Sequence, residues 1–258
     1  MYEGIEDIFR LLDAGRLKEA LTQLQGISMQ TNRWELRNRI ESTLTAYGYM
    51  LQYAQQGMED PNRKSFYQQT FRTAYELTDA VNIALHSQKT SGMYYDRIRT
   101  FGLQPAKAYA ELQLQLETFT EDASTAPLLY HDDKRLQTEM EKIHQSHESA
   151  LTELFDKTWA TPFWSDNEVR EATLLLQSVL VAPNDLAVMV SAATLSLLRV
   201  FDAHKLGFLL EAYRHEHLQV NQRALVGILI TIAKHEKRIA LYPELLSRFS
   251  LVSEDEGF

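Results

Sequence analysis

The chain contains no cysteine, which excludes disulfides, thiolate metal sites and a cysteine nucleophile and fits a reducing compartment, so the cytoplasm is the expected location. With only 10 glycines and 6 prolines in 258 residues, a strand-and-turn architecture, which needs turn residues at frequent intervals, is disfavoured. The longest apolar run, Ala224 to Ala233 within NQRALVGILITIAKHEKR, falls well short of the roughly 18–20 residues that span a bilayer. The start MYEGIEDIFRLLDAG carries acids where a secretory signal has a basic region, so neither export nor a membrane partner is expected.

Positive charge is also in deficit. Asp and Glu number 35 against 26 Lys and Arg, a formal charge of -9. Phosphate affinity rests on clustered Lys and Arg, so no nucleic-acid partner is expected. The acidity concentrates between Phe101 and Ala160, where eleven acids face five bases, and it reads mainly as a solvated helix face. No G-x-S-x-G, G-x-x-x-x-G-K-[ST] or G-x-G-x-x-G is present, so acyl transfer by a nucleophile elbow, phosphoryl transfer and dinucleotide chemistry have no motif behind them. No cofactor is expected.

What is present is helical periodicity. Ile5, Ile8, Phe9 and Leu12, then Leu17, Ala20, Leu21 and Leu24 after Gly15, recur at helix spacing and predict a hairpin. Asn32 with Glu35 reads as a capping box opening a long helix through Ile40, Tyr47 and Leu51. Asp60 and Pro61 read as the cap and first position of a second long helix, antiparallel to the first, striped by Tyr67, Phe71 and Tyr75. Shorter helices follow to Thr125, and Thr120 to Pro127 (TEDASTAP) is the most linker-like stretch. A long helix then carries Leu136, Met140, Ile143, His147, Leu151 and Leu154 on a narrow apolar stripe. Ser165 with Glu168 is another capping box, after which short helices alternate with very short turns.

A shift of 32 positions superposes Val188 on Val220, Ala192 on Ala224 and Leu197 on Leu229, as stacked repeats require. Ala224–Ala233 is then expected to be a central helix, covered on most sides. Its β-branched residues cost roughly a few tenths of a kcal/mol each in a helix, whereas burying one returns about 1.5–3 kcal/mol.

Gly15, Leu17, Glu19, Ala20 and Leu21 resemble the turn and helix entry of tetratricopeptide repeats, and the V-x-x-x-A-x-x-x-x-L faces between Asp166 and Phe249 resemble HEAT-like repeats. Together with WELRNRIESTLTAYGYMLQY and DPNRKSFYQQTFR, the chain resembles the N-terminal part of large tetratricopeptide-type proteins of Bacteroidetes. The resemblance implies an all-α scaffold: a tetratricopeptide-like hairpin array over residues 1–125, a connecting helix and joint over 126–164, and HEAT-like repeats over 165–258 that continue past Phe258. It also implies protein–protein interaction without intrinsic catalysis. A helical-repeat enzyme with an acidic or His-containing cavity is the alternative.

Two constellations are candidate sites. Tyr47, Tyr67, Tyr75, Tyr94 and Tyr95 offer rings with hydroxyls for a peptide partner, rimmed by Arg63, Lys64, Arg72, Arg97 and Arg99. Packing between the two long helices is the competing reading. His144, His147 and Glu148 share one helix face at metal-ligand spacing, but no motif supplies a further ligand, so no metal is expected. His215 and His217 converge only if a turn falls between two helices there. Trp159, Phe163 and Trp164 read as a packed joint.

Overall fold

In the computed structural model, residue 2 and residues 4–253 are described, and every regular element among them is a helix. The fold is all-α. In chain order the helices are α1 (Ile5–Asp13), α2 (Leu17–Ser28), α3 (Trp34–Gln55), α4 (Arg63–Lys89), α5 (Met93–Leu103), α6 (Tyr109–Leu129), α7 (Asp133–Ala160), α8 (Asp166–Leu176), α9 (Pro183–Leu197), α10 (Ala203–Tyr213), α11 (Leu218–Ile239) and α12 (Pro243–Ser253). No helix among the described residues is long and apolar enough to cross a membrane. The expected continuation past Phe258 lies outside the described residues.

The chain forms two compact units. The first takes the described residues to Asp96 together with Lys237–Pro243, and the second takes Arg97–Glu236 and the described residues from Glu244 on. In the first unit, α1 to α4 enclose a core of Ile5, Ile8, Leu12, Leu21, Leu24, Ile40, Phe71, Leu77 and Val81. Gly15 turns α1 into α2 at φ 76, a conformation that costs glycine little. The next residues bury Leu17 and Ala20 in the core.

In the second unit, α6, α8, α10 and α12 lie beside one another, as do α7, α9 and α11. α6 touches α8, and α8 touches α10; Arg248 of α12 donates to the Gly207 carbonyl of α10 at 3.0 Å. α7 packs on α9, and Arg223 of α11 donates to Ser191 Oγ of α9 at 2.8 Å across the 32-residue offset. At Gly227 the two helices come so close that a Cβ would collide with Thr194 and meet Leu209 Cδ1 at 3.0 Å.

Several local expectations are corrected. Residues 120–127 are the last turns of α6, with Pro127 inside the helix. Ser124 and Thr125 turn their hydroxyls onto the Glu121 carbonyl at 2.8 and 2.9 Å, so the polar side chains are satisfied within the helix, and Ala126 is buried. Asn32 does not cap α3, whose N-cap is Arg33. Pro61 precedes α4 by a turn, in which Asp60 Oδ1 accepts from the Asn62 N–H at 2.8 Å. The capping box of Ser165 and Glu168 is formed, and Asp132 caps α7.

Ala224–Ala233 is helical but not covered on most sides. Val220, Ala224, Ile228 and Thr231 are buried, whereas Val226 and Leu229 are 54% and 50% exposed. The run is thus one-sided, and Leu229 does not repeat the buried position of Leu197. Trp164 is buried with its ring 5.5 Å from Tyr109 of α6 and 5.4 Å from Phe208 of α10. It packs between α6 and α10 from the turn that links α7 to α8, within the second unit.

Candidate functional site

The tyrosines of the expected groove are divided among separate contacts, Tyr47, Tyr75 and Tyr94 buried and Tyr67 and Tyr95 half-buried. Tyr47, Tyr75 and Tyr94 are only 7%, 4% and 4% exposed. Tyr67 sits between Tyr47 and Phe71, its ring centroid 6.2 and 4.9 Å from theirs. Tyr75 stacks on Phe9 and donates to Asp13 Oδ1 at 2.7 Å; burial, helped by that carboxylate, pushes its hydroxyl pKa up. Tyr94 and Tyr95 form a separate pair, with Tyr95 stacked on His86. The arginines diverge as well. Arg63 holds the Met58 carbonyl, Arg72 donates to the Leu241 carbonyl, and Arg97 pairs with Asp156 in the second unit.

His144, His147 and Glu148 do not form a metal centre, and no group of three potential ligands occurs among the described residues. His147 Nε2 is 2.7 Å from Asp185 Oδ2, and its ring stacks on Phe119 at 4.0 Å. Asp185 belongs to α9, so this contact pins α7 to α9. His215 and His217 do fall in the turn between α10 and α11, with rings 5.5 Å apart, and the His217 N–H donates to His215 Nδ1. That bond occupies one of the nitrogens a metal would use.

One arrangement able to receive a ligand among the described residues is a cleft of about 480 Å³ in the second unit, walled by α5 and α7. Arg97, Thr100 and Phe101 supply one wall. Along α7, Gln145, Glu148, Ser149, Thr152, Glu153 and Asp156 supply the other, at steps of three and four residues that place them on one helical stripe. The α7 residues opposite this stripe face the interior: Leu154 is buried and Leu151 half-buried. Gln104, Pro105 and Ala106 complete the lining.

The charges in the cleft are arranged in layers. Deepest is Asp156, buried, with its Oδ2 2.8 Å from Arg97 Nε. Burial raises its pKa above the usual carboxylate range, Arg97 opposes the shift, and Glu153 adds to it. Glu153 accepts from the Lys107 backbone N–H at 3.1 Å and pairs with Lys107 Nζ at 3.0 Å. Glu148 is exposed and makes no salt bridge or side-chain hydrogen bond among the described residues. The cleft therefore offers one uncompensated carboxylate, hydrogen-bonding groups on Gln145, Ser149 and Thr152, and the ring of Phe101.

Sequence reasoning named Arg97 and Glu148 but assigned them to different sites. The missed signal is the polar stripe itself: residues 145, 149, 152 and 156 repeat at helical spacing opposite the apolar stripe.

A second concentration of ionisable groups lies inside the core of the same unit. Lys205 is fully buried, donates to the Thr161 carbonyl and to Ser196 Oγ, the latter at 2.6 Å, and has its ammonium 5.3 Å from the Trp164 ring. Burial lowers its pKa to about 8 against the pull of Asp202 and Glu168. Asp202 in turn accepts from the Trp164 N–H at 2.7 Å and from the His204 N–H at 2.8 Å. These contacts secure the C-terminus of α7 and the start of α10.

No family model, curated protein or solved structure matches the chain.

Proposed function

We propose that the chain is a helical-repeat interaction module, a segment of α-solenoid of the tetratricopeptide and HEAT type, that binds a protein or peptide in the α5–α7 cleft of its second unit. Side-by-side packing of alternate helices, with an offset of 32 residues between Ser191 and Arg223, supports the repeat reading. The absence of cysteine supports a reducing compartment.

The observation that carries the binding reading is the polar stripe of α7 facing Arg97 and Phe101 across the cleft. Gln145, Ser149 and Thr152 suit the main chain of an extended peptide, Phe101 suits an apolar side chain, and Glu148 suits a lysine or arginine. The two deeper carboxylates are engaged by Arg97 and Lys107. That engagement holds the cleft open in a fixed shape and favours recognition over proton transfer.

Random-peptide selection against the full chain, with counter-selection on Glu148→Lys, tests the reading. Peptides enriched in Lys or Arg and lost on Glu148→Lys support it; peptides that bind both proteins equally overturn it.

A further inference from the structure

The segment Lys237–Pro243 is held in the first unit chiefly by side chains that address it one residue at a time. α11 departs from helical geometry at His235 (φ -124, ψ 22), and Pro243 begins α12. After the irregular His235, α11 runs on to Ile239, and the chain then turns, the Leu241 and Tyr242 N–H groups donating to the Arg238 and Ile239 carbonyls at 3.0 and 2.9 Å.

Lys237 Nζ is 2.9 Å from Asp13 Oδ2. Arg238, buried, lies 2.6 Å from Asp79 Oδ2 and 4.9 Å from the Tyr75 ring centroid. Arg72 Nε donates to the Leu241 carbonyl at 2.6 Å, its guanidinium lies 4.3 Å from the centre of the Tyr242 ring, and Tyr242 donates to Glu76 Oε1 at 3.2 Å. Leu241 rests on the core.

On the receiving side, Arg72, Tyr75, Glu76 and Asp79 occupy successive positions of one α4 stripe, and Asp13 and Phe9 flank them from α1. Acids meet bases, a main-chain carbonyl is read by an arginine, and a tyrosine is bound by both ring and hydroxyl. Arginine and tyrosine anchors seated in this way are the usual determinants of peptide recognition.

We propose that the α1–α4 face is a recognition surface for a short segment carrying arginine, an aliphatic residue and tyrosine in the order Arg-aliphatic-x-aliphatic-Tyr, and that Lys237–Pro243 occupies it in cis. The same sequence chemistry presented by a partner protein competes for the face. The cis segment sets the threshold for that competition, since a tethered ligand acts at about millimolar effective concentration. This surface is separate from the α5–α7 cleft, and neither reading depends on the other.

The test uses the full chain with Ala240→Cys, an exposed position in a protein that otherwise lacks cysteine, carrying a nitroxide label. A peptide of sequence HEKRIALYPE, residues 235–244, is added in excess. The expected result is a concentration-dependent rise in label mobility, absent with the same peptide carrying Arg238→Glu. In parallel, Tyr242→Ala in the protein weakens the tethered competitor and raises the apparent affinity for the wild-type peptide about tenfold or more. A label that stays immobile, together with no saturable peptide binding by a Tyr242→Ala chain of unchanged helical content, overturns the proposal.

Discussion

Arg238 and Asp79 form a buried ion pair, 2.6 Å apart, in the first unit. Truncating one member of such a pair leaves the other charge buried without its counterion. Arg238→Ala is expected to cost about 3–5 kcal/mol in the stability of that unit. The double replacement Asp79→Leu with Arg238→Met, which removes both charges, is expected to recover most of the loss. Urea denaturation followed by circular dichroism measures both; equal destabilisation by the single and double variants would contradict the pairing account.

Lys205 gives the stability a defined pH dependence. Unfolded, a lysine keeps its proton to about pH 10.4; folded, Lys205 loses it near about 8. Between those values the unfolded chain binds the extra proton, so stability rises with pH across this window. Below it both states are protonated and the contribution is flat. Tyr109 and Tyr75, whose hydroxyl pKa values are raised by burial, oppose the trend only above about pH 10. From pH 8 to 10 the second unit is expected to gain on the order of 2–3 kcal/mol. Lys205→Met should flatten that slope, which denaturation midpoints at several pH values would report.

The close approach of α9 and α11 makes Gly227 irreplaceable by alanine. In an isolated helix the substitution would help by about 1 kcal/mol. Here the new methyl meets Thr194 and Leu209 Cδ1, so Gly227→Ala is expected to destabilise by about 1–3 kcal/mol. Combining it with Thr194→Ser, which removes a methyl but not the colliding hydroxyl oxygen, should restore little, whereas Thr194→Ala should restore more. Thermal melts distinguish the two.

Ser165 accepts from the Glu168 N–H while the Glu168 carboxylate accepts from the Ser165 N–H at 2.9 Å. Loss of this reciprocal cap in Ser165→Ala is expected to cost about 1 kcal/mol. A melt unchanged within error would show that the cap carries no stability.

Much of the fold was legible because it depends on period and punctuation. Ile5, Ile8 and Leu12 announce an amphipathic helix, and the Ser165–Glu168 spacing announces a helix start, through interactions confined to a few neighbouring residues. Three features were not legible, each set by distant partners. Whether Val226 and Leu229 are covered depends on what lies beyond α11, which the run itself does not encode. Residues 120–127 read as a linker, yet α6 runs through Pro127 to Leu129 and Ala126 is buried. The tyrosines share one composition, but Tyr67 and Tyr94 have different neighbours, so a common groove could not follow from their spacing. The α7 stripe was present in the sequence and overlooked because Gln, Ser and Thr at helical spacing resemble an ordinary wet face.

Hydrogen–deuterium exchange of the full chain, with and without a basic peptide selected as above, tests the binding account most directly. Slowed exchange confined to α5 and to residues 145–156 of α7, and absent in Glu148→Lys, is the predicted result. Protection elsewhere with these segments unchanged, or equal protection in Glu148→Lys, would contradict it.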